Sequence, residues 1–343
     1  MLTDKISIVI PCRNEAGSIA PVLESILAQD FGSGEWEVIV ADGTSDDGTR
    51  TILERYQHME PRIRVIDNPS KAVPAGLNMA IRAARGDTIL RMDAHTSYAP
   101  DYVRRCVETL DAAAAENVGG PARTCPNGYW GRAIAAAYHS AVACGGAKFH
   151  DPGYEGWVDT VPYGCWRKST LLRIGLFDER LIRNQDDELN LRLRRAGGRI
   201  WQSPDIVSWY QPRSSLKNLV LQYFQYGFWK VAVIRKHRIP ASWRHVVPPT
   251  FVTANLAIPA AGLVVPGLTV LWAAMIALYL LVCIVASADC ARKKGWMLLP
   301  ALPLVFFAYH TAYGTGFLAG MCYWPFVKTE SEPPKSIFTQ ASR

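Results

Sequence analysis

An apolar run that ends on two polar residues of the right type can hold a cation. Thr88-Ile89-Leu90-Arg91-Met92 reads as a short buried strand, and Asp93-Ala94-His95 follows it directly. Side chains alternate along an extended chain, so the spacing predicts that Asp93 and His95 point the same way with only Ala94 between them. One carboxylate and one imidazole suit Mn²⁺, and Mg²⁺ less well, with positions left for water or phosphate oxygens. The plainer alternative is a strand end whose polar pair faces water.

The elements around this pair decide how it is placed. Ile6 to Ile10 is a strand run that Pro11 is expected to stop, and apolar residues at helical spacing follow from Ser18 to Ala28. The same alternation repeats twice more before a last strand. Trp36–Val40 precedes a helix over Arg50–Tyr56, Ile63–Ile66 precedes one over Pro74–Arg85, and then comes the strand ending at Met92. Such a pattern calls for a mostly parallel α/β sheet with helices on both faces. Ligands bind such sheets at the carboxyl ends of the strands, where the polar clusters Arg13–Glu15, Asp42–Asp47, Asn68–Lys71 and Asp93–His95 all fall. Taken singly, many of their Gly, Ser and Thr residues are ordinary turn formers.

The 343-residue chain changes character after residue 245. Val246–Ala288 and Gly295–Val327 contain no Asp, Glu, Lys or Arg, and each exceeds the ~20 apolar residues that cross a bilayer. Pro266-Gly267 breaks the first stretch, predicting spans near 249–265 and 268–288; a third segment, 297–323, either spans or re-enters. The net charge of +7 does not point to nucleic acid, because its basic residues form no tract interleaved with aromatics. Many crowd the approach to the apolar region, among them Lys230, Arg235, Lys236, Arg238 and Arg244, and Arg292-Lys293-Lys294 follows the second span. That bias predicts a multi-pass protein of the inner (plasma) membrane with its first domain in the cytoplasm. Eight cysteines without paired spacing agree with a reducing compartment.

Five blocks in order resemble family 2 glycosyltransferases of the GT-A (Rossmann-like) fold. Pro11-Cys12-Arg13-Asn14-Glu15 resembles their P-x-x-N-E opening, and Asp42 to Thr49 their D-G-x-S-x-D-x-T loop. Asp93-Ala94-His95 stands where the family carries D-x-D. Gly175–Glu179 is similar to the acceptor-side loop, and Gln185–Arg194 to the E-D-x-[DE]-x-x-x-R helix. The D-A-H variant and a membrane tail bring the chain nearest to bacterial exopolysaccharide enzymes of that family.

The resemblance implies a set of roles. Pro11, Arg13, Glu15 and Asp42 line the uridine pocket, Lys71 lies near uracil or phosphate, and Asp93 contacts ribose or metal. His95 replaces the second Asp as metal ligand, which removes a negative charge and favours Mn²⁺ over Mg²⁺. Asp186 aligns with the base, in the first turn of a helix opening at Asn184 or Gln185, and Asp187 and Glu188 raise its basicity by like-charge repulsion. The alternative for these acids is simple stabilisation by the helix dipole. Asp178 is an acceptor contact, as is Gln222, whose segment resembles loosely the Q-x-x-R-W element of membrane glycan synthases but lacks its Arg and Trp. His139 and His150 are spare imidazoles with surface or packing roles. Leu216–Trp229 reads either as a helix on the bilayer surface or as a buried interdomain helix.

The expected organisation is a cytoplasmic catalytic domain at 1–210, amphipathic interface helices at 211–245, two to three spans at 246–327 and a tail at 328–343. The expected activity is inverting, metal-dependent transfer of a hexose, glucose first, from a UDP-sugar to a polyprenyl-diphosphate-linked saccharide, alongside other glycan-assembly enzymes. Two alternatives remain: transfer to polyprenyl phosphate itself, as in dolichyl-phosphate mannose synthases, and a non-catalytic nucleotide-sugar-binding component of a synthase complex.

Overall fold

The computed structural model describes residues 5–32 and 34–327; the expected tail at 328–343 lies outside the described residues. The chain forms two compact units. The first takes the chain up to Thr124 together with Asp151–Gln211, and the second takes Cys125–His150 together with the chain from Pro212 on.

The first unit opens with β1 (Ile6–Cys12), α1 (Ile19–Leu27), β2 (Trp36–Asp42), α2 (Thr49–Met59), β3 (Ile63–Asp67), α3 (Val73–Ala83) and β4 (Thr88–Arg91). After β5 (Thr96–Tyr98), α4 (Tyr102–Ala112), β6 (Asn117–Gly119) and β7 (Arg123–Thr124), the chain leaves for α5 (Gly128–Tyr138) and α6 (Ala141–Cys144) of the second unit. It returns as β8 (Gly156–Val158), β9 (Cys165–Arg167), α7 (Lys168–Ile174), α8 (Gln185–Arg195), β10 (Ile200–Gln202) and β11 (Ser208–Tyr210).

Eight strands form one sheet in the order β3-β2-β1-β4-β9-β6-β10-β8, and β5, β11 and β7 form a small second sheet. Within the large sheet only β9 and β8 run against the other strands. This is the mostly parallel α/β arrangement expected, and its two faces are covered separately. Ile6, Ile8 and Ile10 pack with Ile19, Leu23 and Ile26 of α1 and Val103 and Val107 of α4, whereas Val9, Ile39 and Ile89 pack with Leu77 and Ile81 of α3 and Leu189 of α8.

Two local expectations are corrected. Pro11 does not end β1, which continues to Cys12 in register with Asp42. The Val9 carbonyl accepts from the Met92 amide at 3.1 Å, and alternate residues face the same neighbour, so the N–H that Pro11 lacks would face the side where β4 has already ended. β4 itself stops at Arg91, and Ala94 and His95 lie in a turn. Strict alternation therefore does not govern the Asp93 and His95 side chains.

The second unit contains α9 (Leu216–His237), α10 (Val247–Gly262), α11 (Pro266–Lys294) and α12 (Leu302–Tyr323) besides α5 and α6. α9 and α12 touch backbone to backbone: a Cβ at Gly227 would stand 2.0 Å from the Tyr313 carbonyl oxygen, and one at Gly316 2.0 Å from that of Phe224. Of the two readings of this stretch, burial is the one seen, within the unit; even Lys230 is buried. Ala133, Ile134 and Ala137 of α5 join Leu302, Val305, Phe306 and Tyr309 of α12 in a separate core.

The break at Pro266 is where α11 begins, at the helical position that suits proline. Among the described residues α11 alone is long and apolar enough to cross a membrane, by length and composition. α10 has 16 residues and stops short of that length, and α12 buries much of its surface inside the unit. Among the described residues no disulfide joins any of the eight cysteines.

Candidate active site

The carboxyl ends of β1, β2 and β4 carry the first unit's polar clusters. β1 is followed by Asn14, whose φ of 54° turns the chain sharply, and Asn14 and the Asp42–Asp47 loop are stitched together. The Asn14 amide donates to Ser45 Oγ at 2.9 Å, and its Nδ2 donates to Asp46 at 2.9 Å. The Glu15 amide donates to Thr49 Oγ1 at 2.8 Å. Asp42 is buried, accepts from Ser45 Oγ at 2.6 Å and faces Arg50 at 3.5 Å. A Cβ on Gly43 would press on Arg13 Cβ at 3.0 Å, so glycine there lets Arg13 lie across the β2 end beside Asp42. Glu15 is also buried; one oxygen accepts from Ser18 Oγ at 2.7 Å at the start of α1, and the other is 3.7 Å from His95 Nδ1. Lys71 adopts a φ of 61° after β3, its amide donating to the Asn68 carbonyl at 3.0 Å.

At the end of β4 the arrangement centres on a residue that sequence reasoning did not single out. Arg91, with 6% of its side chain exposed, donates through Nε to Asp93 Oδ1 at 3.1 Å and through Nη2 to Asp93 Oδ2 at 3.5 Å. Through Nη1 it also donates to Asp186 Oδ1. The Asp93 amide donates to the Tyr98 hydroxyl at 2.7 Å, which holds the turn. Asp186 enters from α8, whose first turn follows Asn184 at φ 60° and carries Asp186, Asp187 and Glu188 where the helix dipole favours them. Glu188 is tied to Arg192 at 2.8 Å, one turn on.

The structure therefore brings Asp93 and Asp186 to one guanidinium and places His95 beside Glu15. Crowding by protein pushes the Asp186 carboxyl above the ordinary carboxylate range; Arg91 opposes this, while Asp93 and Asp187 add to it. Some 36% of the side-chain surface stays open, so water moderates the effect and an incoming molecule can reach it. Asp178 is turned to its own loop, accepting from Arg180 at 2.9 Å and 3.0 Å. Gln222 belongs to the second unit, where its Nε2 donates to the Tyr226 hydroxyl at 3.0 Å. His139 and His150 are in the second unit too, His139 Nδ1 lying 2.9 Å from the His150 carbonyl oxygen.

A divalent cation at the β4 end would have two groups to meet. Each carboxylate oxygen has two lone pairs, so the bonds from Arg91 leave Asp93 acceptor capacity, and His95 adds an imidazole. Among the described residues no three His, Cys, Asp or Glu side chains gather to hold a metal. Asp93 and His95 would offer a dication at most a partial set of ligands, which oxygens of a bound substrate would have to complete.

The fold and the edge clusters are those of GT-A-type glycosyltransferases, and residues 7–166 match the family described as Glycosyl transferase family 2. The chain belongs to that family. It is similar to the succinoglycan biosynthesis protein ExoA of Rhizobium meliloti (strain 1021), 35% identical over 70% of this chain and 73% of that protein. It is also similar to the dolichyl N-acetyl-alpha-D-glucosaminyl phosphate 3-beta-D-2,3-diacetamido-2,3-dideoxy-beta-D-glucuronosyltransferase of Methanococcus voltae, 28% identical over 92% and 97%. In fold it resembles the mannosyltransferase PcManGT from Pyrobaculum calidifontis, solved with GDP-Man and Mn²⁺, with a TM-score of 0.60, 19% identity and coverage of 90% and 86%.

Proposed function

We propose that the chain moves one hexose, glucose first, from a UDP-sugar to a polyprenyl-diphosphate-linked saccharide, with inversion, on the cytoplasmic side of the inner membrane. The observation that carries this reading is the pairing of Asp93 and Asp186 on Arg91 at the end of β4, where a donor-side and an acceptor-side carboxylate are held within one side chain's reach. Asp186 takes the proton of the acceptor hydroxyl as its oxygen bonds to the anomeric carbon and the bond to the diphosphate breaks. A single in-line displacement of this kind turns an α-linked donor into a β-linked product. Pro11, Arg13, Glu15, Asp42 and Lys71 receive the nucleotide, and Asp178 and Gln222 act on the acceptor side. Asp93 and His95 would hold a divalent cation, Mn²⁺ or Mg²⁺, which when bound supplies charge neutralisation at the leaving diphosphate.

The acceptor assignment draws on the Methanococcus relative, whose name gives a lipid-linked sugar phosphate as acceptor. The multi-pass reading, with 246–327 in the bilayer, draws on the exposed apolar surface of α10 and α11. Leu256, Leu263, Val270 and Leu278 are each more than 60% exposed, and lipid would cover them. Other glycan-assembly enzymes would supply the acceptor and extend the product.

The test is a panel of nucleotide-sugars offered to the membrane-inserted protein with lipid-linked saccharide or bare polyprenyl phosphate, with and without Mn²⁺. UDP-hexose consumption with the lipid-linked saccharide, dependent on Mn²⁺, is expected. Consumption of no UDP-sugar by folded protein would overturn the reading, and transfer to bare lipid phosphate alone would redirect the acceptor.

A further inference from the structure

The amino ends of the parallel strands, opposite the edge that carries Asp42 and Asp93, gather cations from separate returns of the chain. Lys5 precedes β1, Arg62 precedes β3, Arg64 stands within it, and Arg85 lies shortly before β4. Together with Trp36 and Glu37 they line one cavity of about 460 Å³ inside the sheet unit, a size that suits a small-molecule ligand. Three of the four cations already meet a carboxylate. Lys5 pairs with Glu35 at 2.9 Å, Arg62 holds Glu60 through Nε and Nη2 at 2.8 and 2.6 Å, and Arg64 Nη1 donates to Glu37 at 3.0 Å. These contacts fix the walls. Arg62 lies over the Trp36 ring with its Cζ 3.8 Å from the centroid, and Phe31 stacks on the same indole at 4.5 Å. Arg64 spends Nη1 twice, on Glu37 and on the Ala83 carbonyl at 3.1 Å, so its Nε and Nη2 have no partner among the described residues. The fourth cation differs. The Arg85 amide donates to Glu37 at 2.5 Å, which pins its backbone, yet its guanidinium has no carboxylate partner among the described residues. Glu37, 5% exposed, is taken up by Ser7, Arg64 and that amide.

The geometry points to a second anion site, at the amino ends of β1, β3 and β4, that takes a small molecule bearing a phosphate or diphosphate group. Guanidinium forks match the oxygens of phosphate, and Arg85 with the unspent nitrogens of Arg64 supplies two such donors from residues tied to one carboxylate. A simple carboxylate is satisfied by a single fork. A diphosphate brings enough oxygens and charge to use Arg85, Arg64 and Lys5 together, and the indole wall lowers the local dielectric around them. The site is separate from the catalytic edge, because the seven residues of β1 put roughly 20–25 Å between Lys5 and the cluster that begins at Arg13. It stands whether or not the chain performs the transfer proposed above. Free phosphorylated metabolites and lipid headgroups present the same chemistry, so the source is read from the experiment.

The test is calorimetric titration of the full chain in detergent with inorganic pyrophosphate and, separately, with dihexanoyl phosphatidic acid. EDTA is present throughout, so that no divalent cation assists binding at the catalytic edge. Wild type, Arg85→Ala and Lys71→Ala are compared, with the melting midpoint as the check on folding. Saturable binding is expected in wild type, weakened about tenfold or more in Arg85→Ala and kept within about twofold in Lys71→Ala, which alters the other edge. Tighter binding of pyrophosphate assigns the site to a free metabolite, and tighter binding of the short-chain lipid assigns it to a headgroup. Absence of saturable binding of both probes to folded wild type overturns the inference. So does binding that Arg85→Ala leaves within about twofold, or binding that Lys71→Ala abolishes while Arg85→Ala does not. If Arg85→Ala does not fold, Arg85→Gln decides by the same criterion.

Discussion

The two units sort their residues by opposite rules. In the sheet unit, charge goes inside: Arg91, Asp42, Glu15 and Glu188 are all at most 6% exposed, the first two and Glu188 with an ion partner within 4 Å and Glu15 3.7 Å from the His95 imidazole. In the helical unit, apolar side chains come outside, with Leu263 at 88% and Val264 at 84% exposure. Buried charge survives where partners come from several elements, and it then marks a site because such pairs are costly to build for stability alone. Consecutive exposed apolar residues such as Leu263, Val264 and Val265 are unusual on a water-facing surface.

Three substitutions break or sharpen this contrast. The largest effect is expected from Asp186→Asn, which should cut transfer by about 10²–10⁴-fold while leaving UDP binding and the melting midpoint near wild type. Activity within tenfold of wild type would remove Asp186 as the base. Next comes Gly227→Leu in the helical unit, which drives a side chain into the Tyr313 carbonyl and should cost about 3 kcal/mol or prevent packing of α9 on α12. Melting in detergent measures it, and a midpoint equal to wild type would show that the helices separate freely. The smallest is Leu281→Lys at the middle of α11, where 56% of the leucine is exposed. If lipid covers this face, the change costs about 2.5 kcal/mol of insertion and lowers the membrane-bound fraction; a water-facing residue would tolerate it within about 0.5 kcal/mol.

Much of the sheet unit was legible because local and long-range signals agree there. Alternating apolar strands and amphipathic helices specify a parallel sheet, and the polar clusters fall at one edge because the topology leaves no other place for them. The α8 start was readable from Asn184 and the acids behind it. For Asp93 and His95 the alternation argument assumed a strand running past Met92, but β4 ends at Arg91, and two residues cannot show in sequence that a strand has ended. Arg91 carried a signal that went unused: a cation among Thr88, Ile89, Leu90 and Met92 demands a carboxylate partner from elsewhere. That the partner would be Asp186 is tertiary information. The assignment of 125–150 to the helical unit was equally hidden, since alanines in α5 look like any small apolar helix until α12 packs on them.

That assignment has a consequence for anyone who would cut the protein in two. Because Cys125–His150 interrupts the sheet unit, the polypeptide passes from one unit to the other three times, and a stop codon after Gln211 would not release a clean soluble half. It would leave Ala133, Ile134 and Ala137 without the companions that normally cover them. During synthesis the same segment emerges more than 150 residues before α12, so α12 cannot cover its apolar face until the chain is nearly finished.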